Sequence, residues 1–168
     1  IHLAQRFIIK FMRIDEISEN QIKAFRRFLK ILPHGKDQDL VLLKGHLLIE
    51  EQVRQIVDER LKNPSALIDT RIDCHQAICL AQSFFSVDFQ PWLWSALKKL
   101  NKIRNDIAHK IEPNGLNDKI NDFINSFPSG LADTPVDTAK FELTLWAVFV
   151  AVSDLVEKPS AQTINLIK

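Results

Sequence analysis

The feature that most limits what this chain can fold into is LVLLKGHLLIEEQVRQIVDERLK, residues 40–62. These 23 residues contain no Pro and a single Gly. Apolar side chains at 43, 47, 53 and 56–57 recur at the spacing of a 3.6-residue repeat, whereas a strand would need strict alternation. A helix of this length spans roughly 35 Å at 1.5 Å per residue. The partners must therefore be elements of similar length, and the rest of the chain offers them.

Ser18 and Gln21 form a capping-box start, followed by Ile22, Phe25, Phe28, Leu29 and Leu32 at helical spacing until Pro33. HGKDQD (34–39) reads as a loop, and NPS (63–65) breaks the long helix. IDCHQAICLAQSFF (72–85) is another helix. Gln90 and Pro91 suit the N-cap and first turn of the next, whose stripe is Leu93, Ala96, Leu97, Leu100, Ile103 and Ile107. That helix stops by Pro113, and Asn114-Gly115 makes a turn. LNDKINDFINSF (116–127) is short and amphipathic, PSGLADTP (128–135) is a loop, and Thr134-Pro135 sets up a last helix from Val136 to about Glu157.

The expected fold is all-α, an up-and-down bundle of four main helices with short extra helices at the start and at 116–127. At 168 residues it forms one domain. A basic helical extension (1–36) and the bundle proper (37–168) belong to that unit. LTLWAVFVAV (143–152) is about half the length of a bilayer span, so it reads as a buried helix and no membrane partner is expected. Arg6, Lys10 and Arg13 interrupt the apolar N-terminal run, which gives no signal-peptide pattern.

The net charge of +1 conceals an uneven distribution. Residues 1–36 carry eight basic and three acidic side chains, and residues 95–110 carry five basic against Asp106 alone. Residues 37–94 and 111–168 are each net −4. A solvated helix face or a polyanion-binding surface would produce the second island equally well. Cys74 and Cys79 sit five apart on one helix and point away from each other, so no disulfide is expected. Cys74-His75-x3-Cys79 lacks the spaced pairs of a zinc site. Two reduced thiols, no metal, no cofactor and a cytoplasmic location follow as expectations.

Within the second island runs LNKIRNDIAHKIEP, residues 100–113. Asn105 and His109 are four apart and share a face; Arg104 and His109 are five apart, roughly 140° around the helix. Arg104 borders the apolar stripe. A guanidinium there either pairs with a carboxylate that ties helices together, with His109 capping the helix end, or is aimed at an anion. Two copies of the helix about a two-fold axis would unite Arg and His in one cleft. On the long helix, Gly45 suggests close approach of a neighbouring backbone. His46 and Glu50 form an i, i+4 pair, which is either an orienting contact or a solvated ion pair.

LxxLNKIRNDIAH resembles the Arg-x4-His motif of the HEPN domains, where a polar residue, often Asn, follows the Arg; here Arg104, Asn105 and His109 match. LKGHLLIEEQ (43–52), followed by a helical hairpin and the motif helix, is also similar to what many members show, and the resemblance covers roughly residues 40–157. It implies an α-helical bundle, a homodimer and a metal-independent endoribonuclease of toxin–antitoxin or phage-defence systems. RNA would be the substrate, and an antitoxin or other protein a further partner. In that reading His109 is general base or acid, Arg104 stabilises the phosphate, and Asn105 orients the imidazole or contacts phosphate. His46 and Glu50 support the site, while Lys98, Lys99, Lys102 and Lys110 follow the RNA backbone. The alternative is a non-catalytic interaction module, an antitoxin, immunity protein or regulator, binding a protein or RNA. A metal-dependent hydrolase ranks below both, since no ligand cluster has suitable spacing.

Overall fold

A computed structural model of the chain describes residues 18–110, 113–128 and 137–158. Residues 1–17 of the N-terminal extension and the Thr134-Pro135 start signal lie outside them. The described residues fold as an all-α bundle: α1 (Glu19–Ile31), α2 (Gln38–Arg60), α3 (Cys74–Ser83), α4 (Pro91–His109), α5 (Leu116–Ile124) and α6 (Asp137–Glu157). A short 3-10 turn, Pro64–Leu67, joins α2 to α3.

Local chemistry accounts for the ends of these helices. Ser18 Oγ accepts from Gln21 N while Gln21 Oε1 accepts from Ser18 N, a complete capping box. The same Ser18 hydroxyl donates to Glu157 at 2.6 Å, binding the start of α1 to the end of α6. Asp37 caps α2 by accepting from Asp39 N and Leu40 N, so that helix begins two residues before the expected Leu40. Asp73 and Gln76 form a second capping box, which makes Cys74 the first residue of α3. Before α4 stands Gln90 with φ 43°, the one non-glycine residue with positive φ among the described residues, and Pro91 opens the helix behind it. α5 ends at Ile124 rather than 127, and Phe127 folds back into a cluster with Leu143 and Ala147.

α2 lies in the middle and packs against α1, α3, α4 and α6. Phe28 of α1 stacks on Phe149 of α6 with ring centroids 4.3 Å apart, and both are buried. Leu42, Ile49 and Ile56 run down the buried side of α2, facing the core completed by Trp94, Leu97 and Leu100 of α4. The apolar stretch of α6 is core within one chain: Phe141, Leu145, Val148, Val152 and Leu155 are all fully buried. No described helix is long and apolar enough to cross a membrane. Gly45 does permit a close approach, but to side chains instead of backbone. A Cβ there would stand 3.0 Å from Leu145 Cδ1 and 3.4 Å from Leu32 Cδ1.

Candidate functional site

Three elements converge on one polar cavity of about 240 Å³, lined by Glu50 from α2, Asp73, Cys74 and His75 at the start of α3, and Asn101, Arg104 and Asn105 from α4. The capping box of α3 fixes the backbone that presents Cys74. The i, i+3, i+4 spacing of Asn101, Arg104 and Asn105 turns all three towards the same side of α4.

His46 lies behind this wall, 3 % exposed. Its Nε2 is 3.2 Å from Asn101 Oδ1, a contact that requires Nε2 to carry the proton and donate. Nδ1 then holds a bare lone pair, and it has no hydrogen-bond partner. The nearest carboxylate oxygen, Glu50 Oε2, is 3.7 Å away, beyond hydrogen-bonding range. Burial pushes the imidazole pKa down, against the upward pull of Glu50 and the Asn101 bond, with Arg104 adding to the downward shift. The His46–Glu50 pair is thus neither a solvated ion pair nor a direct hydrogen bond. Glu50 is oriented from the other side: Arg54 donates to its Oε1 through Nε at 3.0 Å and Nη2 at 2.7 Å, and also to the Ile72 carbonyl.

Cys74 Sγ lies 3.5 Å from His46 Nε2. Burial, and next the Glu50 charge, push its thiol pKa up to about 12, so the sulfur is protonated and a poor nucleophile at neutral pH. Cys79 is exposed; both thiols are free.

Arg104 is half-buried, and Nη1 donates to Asn105 Oδ1 at 3.0 Å. Among the described residues it forms no ion pair with a carboxylate. The neighbouring Asp106 turns away from it and bridges Lys110 at 2.6 Å and Lys119 at 2.5 Å. Hydrogen bonds from those two lysines hold its carboxyl pKa down to about 2. The acidic residue inside the motif is therefore neutralised by α5 and by the end of α4, and the Arg104 fork remains available to an anion.

The remaining expected residues are dispersed. His109 is exposed on the last turn of α4 and does not line the cavity. Lys98 donates to Gln82 Oε1 and ties α4 to α3; Lys99 donates to the Asp122 carbonyl and ties α4 to α5. Lys110 pairs with Asp106, while Lys102 is exposed. The sequence reading missed Asn101, Asp73 and the proximity of Cys74 to His46. Asn101 left a local trace, since it falls four residues before Asn105 on the same face, and Asp73 left another in its capping-box spacing with Gln76; the meeting of Cys74 with His46 left none.

Comparison with protein families, with curated proteins and with solved structures finds no match to this chain.

Proposed function

We propose that the chain is a metal-independent endoribonuclease of the HEPN type, acting as a homodimer in a toxin–antitoxin or phage-defence setting. The observation that carries this reading is Arg104, a guanidinium at a polar cavity with no carboxylate partner among the described residues, next to an aspartate whose charge two lysines neutralise. A planar fork of donors left open in this way suits a phosphodiester. Cleavage requires the 2′-hydroxyl to lose a proton as it attacks phosphorus and the 5′-oxygen to gain one. His109 would move those protons, Arg104 would hold the charge that grows on the phosphate oxygens, and Asn105 would fix the guanidinium it already touches.

The non-catalytic module has its own support. Lys98, Lys99 and Lys110 engage partners within the chain, which leaves a thinner basic track than the sequence promises. RNA cleavage by purified protein in EDTA, wild type beside His109→Ala, separates the two readings. The expected result is cleavage that leaves 2′,3′-cyclic phosphate or 3′-phosphate ends, reduced by roughly 10²–10⁴-fold in the variant. Absence of cleavage by the wild type over several RNA substrates would shift the assignment to a binding module.

A further inference from the structure

We propose that His46, Glu50 and Cys74 form a binding site for a divalent cation of the zinc class. One ring nitrogen of His46, one carboxylate oxygen of Glu50 and the Cys74 sulfur all lie within 4.8 Å of one another. Ligand atoms about 2.0–2.3 Å from a tetrahedral ion are separated by roughly 3.3–3.8 Å. The 3.7 Å between His46 Nδ1 and Glu50 Oε2 is about 0.2 Å more than the roughly 3.3–3.5 Å that a nitrogen and an oxygen ligand would span, so a small inward shift would complete the pair.

The independent observation is the state of His46. Its side chain is 3 % exposed, and Nδ1 is buried without a hydrogen-bond partner. With Nε2–H donated to Asn101, the Nδ1 lone pair faces a carboxylate oxygen, two electron-rich atoms opposed at the cavity wall. A proton on Nδ1 would not bridge 3.7 Å. A cation between them would satisfy both atoms.

The surroundings also resemble the outer shell of a metal site. A ligating histidine normally donates its second nitrogen to a fixed acceptor, and Asn101 is that acceptor here. A ligating carboxylate is normally held by a further hydrogen bond, and Arg54 takes Glu50 Oε1, which leaves Oε2 turned towards His46 Nδ1. Nitrogen, sulfur and oxygen donors in one set favour a borderline-soft ion over magnesium or calcium. Three protein ligands leave one position towards the cavity, where Arg104 stands. Binding exchanges the Cys74 thiol proton for a metal–sulfur bond, and that proton leaves to solvent. The ion would join α2 to the first residue of α3 and hold the wall opposite Arg104.

The site is independent of the ribonuclease reading, and its test involves no RNA. The full chain, kept reduced, is titrated with Co²⁺ and then with Zn²⁺, and followed by absorption and thermal unfolding. The expected result is one Co²⁺ per chain with a thiolate charge-transfer band, displaced by Zn²⁺, and a higher melting temperature with Zn²⁺. The band should vanish in Cys74→Ser and persist in Cys79→Ser. Glu50→Gln should weaken Co²⁺ binding by at least the ~10–100-fold that follows loss of an outer-shell partner. If Cys74→Ser fails to fold, the Glu50→Gln affinity decides the matter, and an unchanged value overturns the site. So would a wild type with no band at saturating Co²⁺, or a band lost in Cys79→Ser and kept in Cys74→Ser, which would place the ion on the exposed Cys79–His75 pair.

Discussion

Asp106 shows how one side chain determines what its neighbour can do. Four residues before Lys110 and close to Lys119 across the α4–α5 turn, it is captured by both ammonium groups, and Arg104 has no acidic partner among the described residues. Its carboxyl is held at about 2, below the ordinary 3.8. A carboxylate whose folded-state pKa is depressed contributes stability that is fully present above its unfolded value and is lost as pH falls through the folded one. Wild type should therefore be more stable than Asp106→Asn at neutral pH, with the gap closing between about pH 4 and pH 2. Melting temperatures of the two proteins across that range check this; a gap independent of pH would mean that the lysines are not what holds Asp106.

At the scale of elements, α1 is bound to the bundle by aromatic rings more than by its cap. Phe28 is fully buried between Phe25 and Phe149, and truncating it leaves a cavity that rigid helices on both sides cannot close. Phe28→Ala should cost about 3–5 kcal/mol, visible in chemical denaturation as a lower midpoint at an unchanged slope. Helix existence was legible because it depends on spacing within a few residues, and so was facing in Phe25 and Phe28 or Leu93, Ala96 and Leu97. On α2 the expected face was misplaced, since Leu47 is exposed and Leu43 half-buried while Leu42, Ile49, Val53 and Ile56 meet the core. Ends were legible where a side chain caps its own backbone, as Ser18 does. The Asp73-x-x-Gln76 box was equally local, yet the apolar Ile72 drew the expected start of α3 into the preceding residues. The site was legible in one half only. Arg104 and Asn105 adjoin in sequence, whereas His46, Cys74 and Asn101 meet across separations of 28 and 55 residues, and that contact exists only once α3 and α4 have docked on α2. Metal-motif spacing searches for ligands in local pairs, so a set shared between a helix interior and the start of another helix escapes it.

For the molecule as a whole, a single chain holds Arg104 at the cavity and leaves His109 exposed on the final turn, outside the cavity lining. Five residues of helix place them roughly 140° apart, a gap that the long Arg side chain spans only in part. Two-fold packing of α4 against its copy solves this, since an isologous contact sets residue i of one helix against residue j of the other in both directions. α6 is already consumed as core, so it cannot supply that interface with the apolar face buried here. The ribonuclease reading then makes a distinctive claim: each active site takes its Arg104 from one protomer and its His109 from the other. Arg104→Ala and His109→Ala should each be inactive alone. Mixed dimers would contain one site with both groups intact, so equal amounts re-paired at random should recover about a quarter of wild-type activity. Recovery of that order, measured on RNA after co-expression of differently tagged variants, would establish the shared site. If neither variant rescues the other while the wild type cleaves, Arg104 and His109 act within the same chain, and α4 must change its geometry when RNA binds.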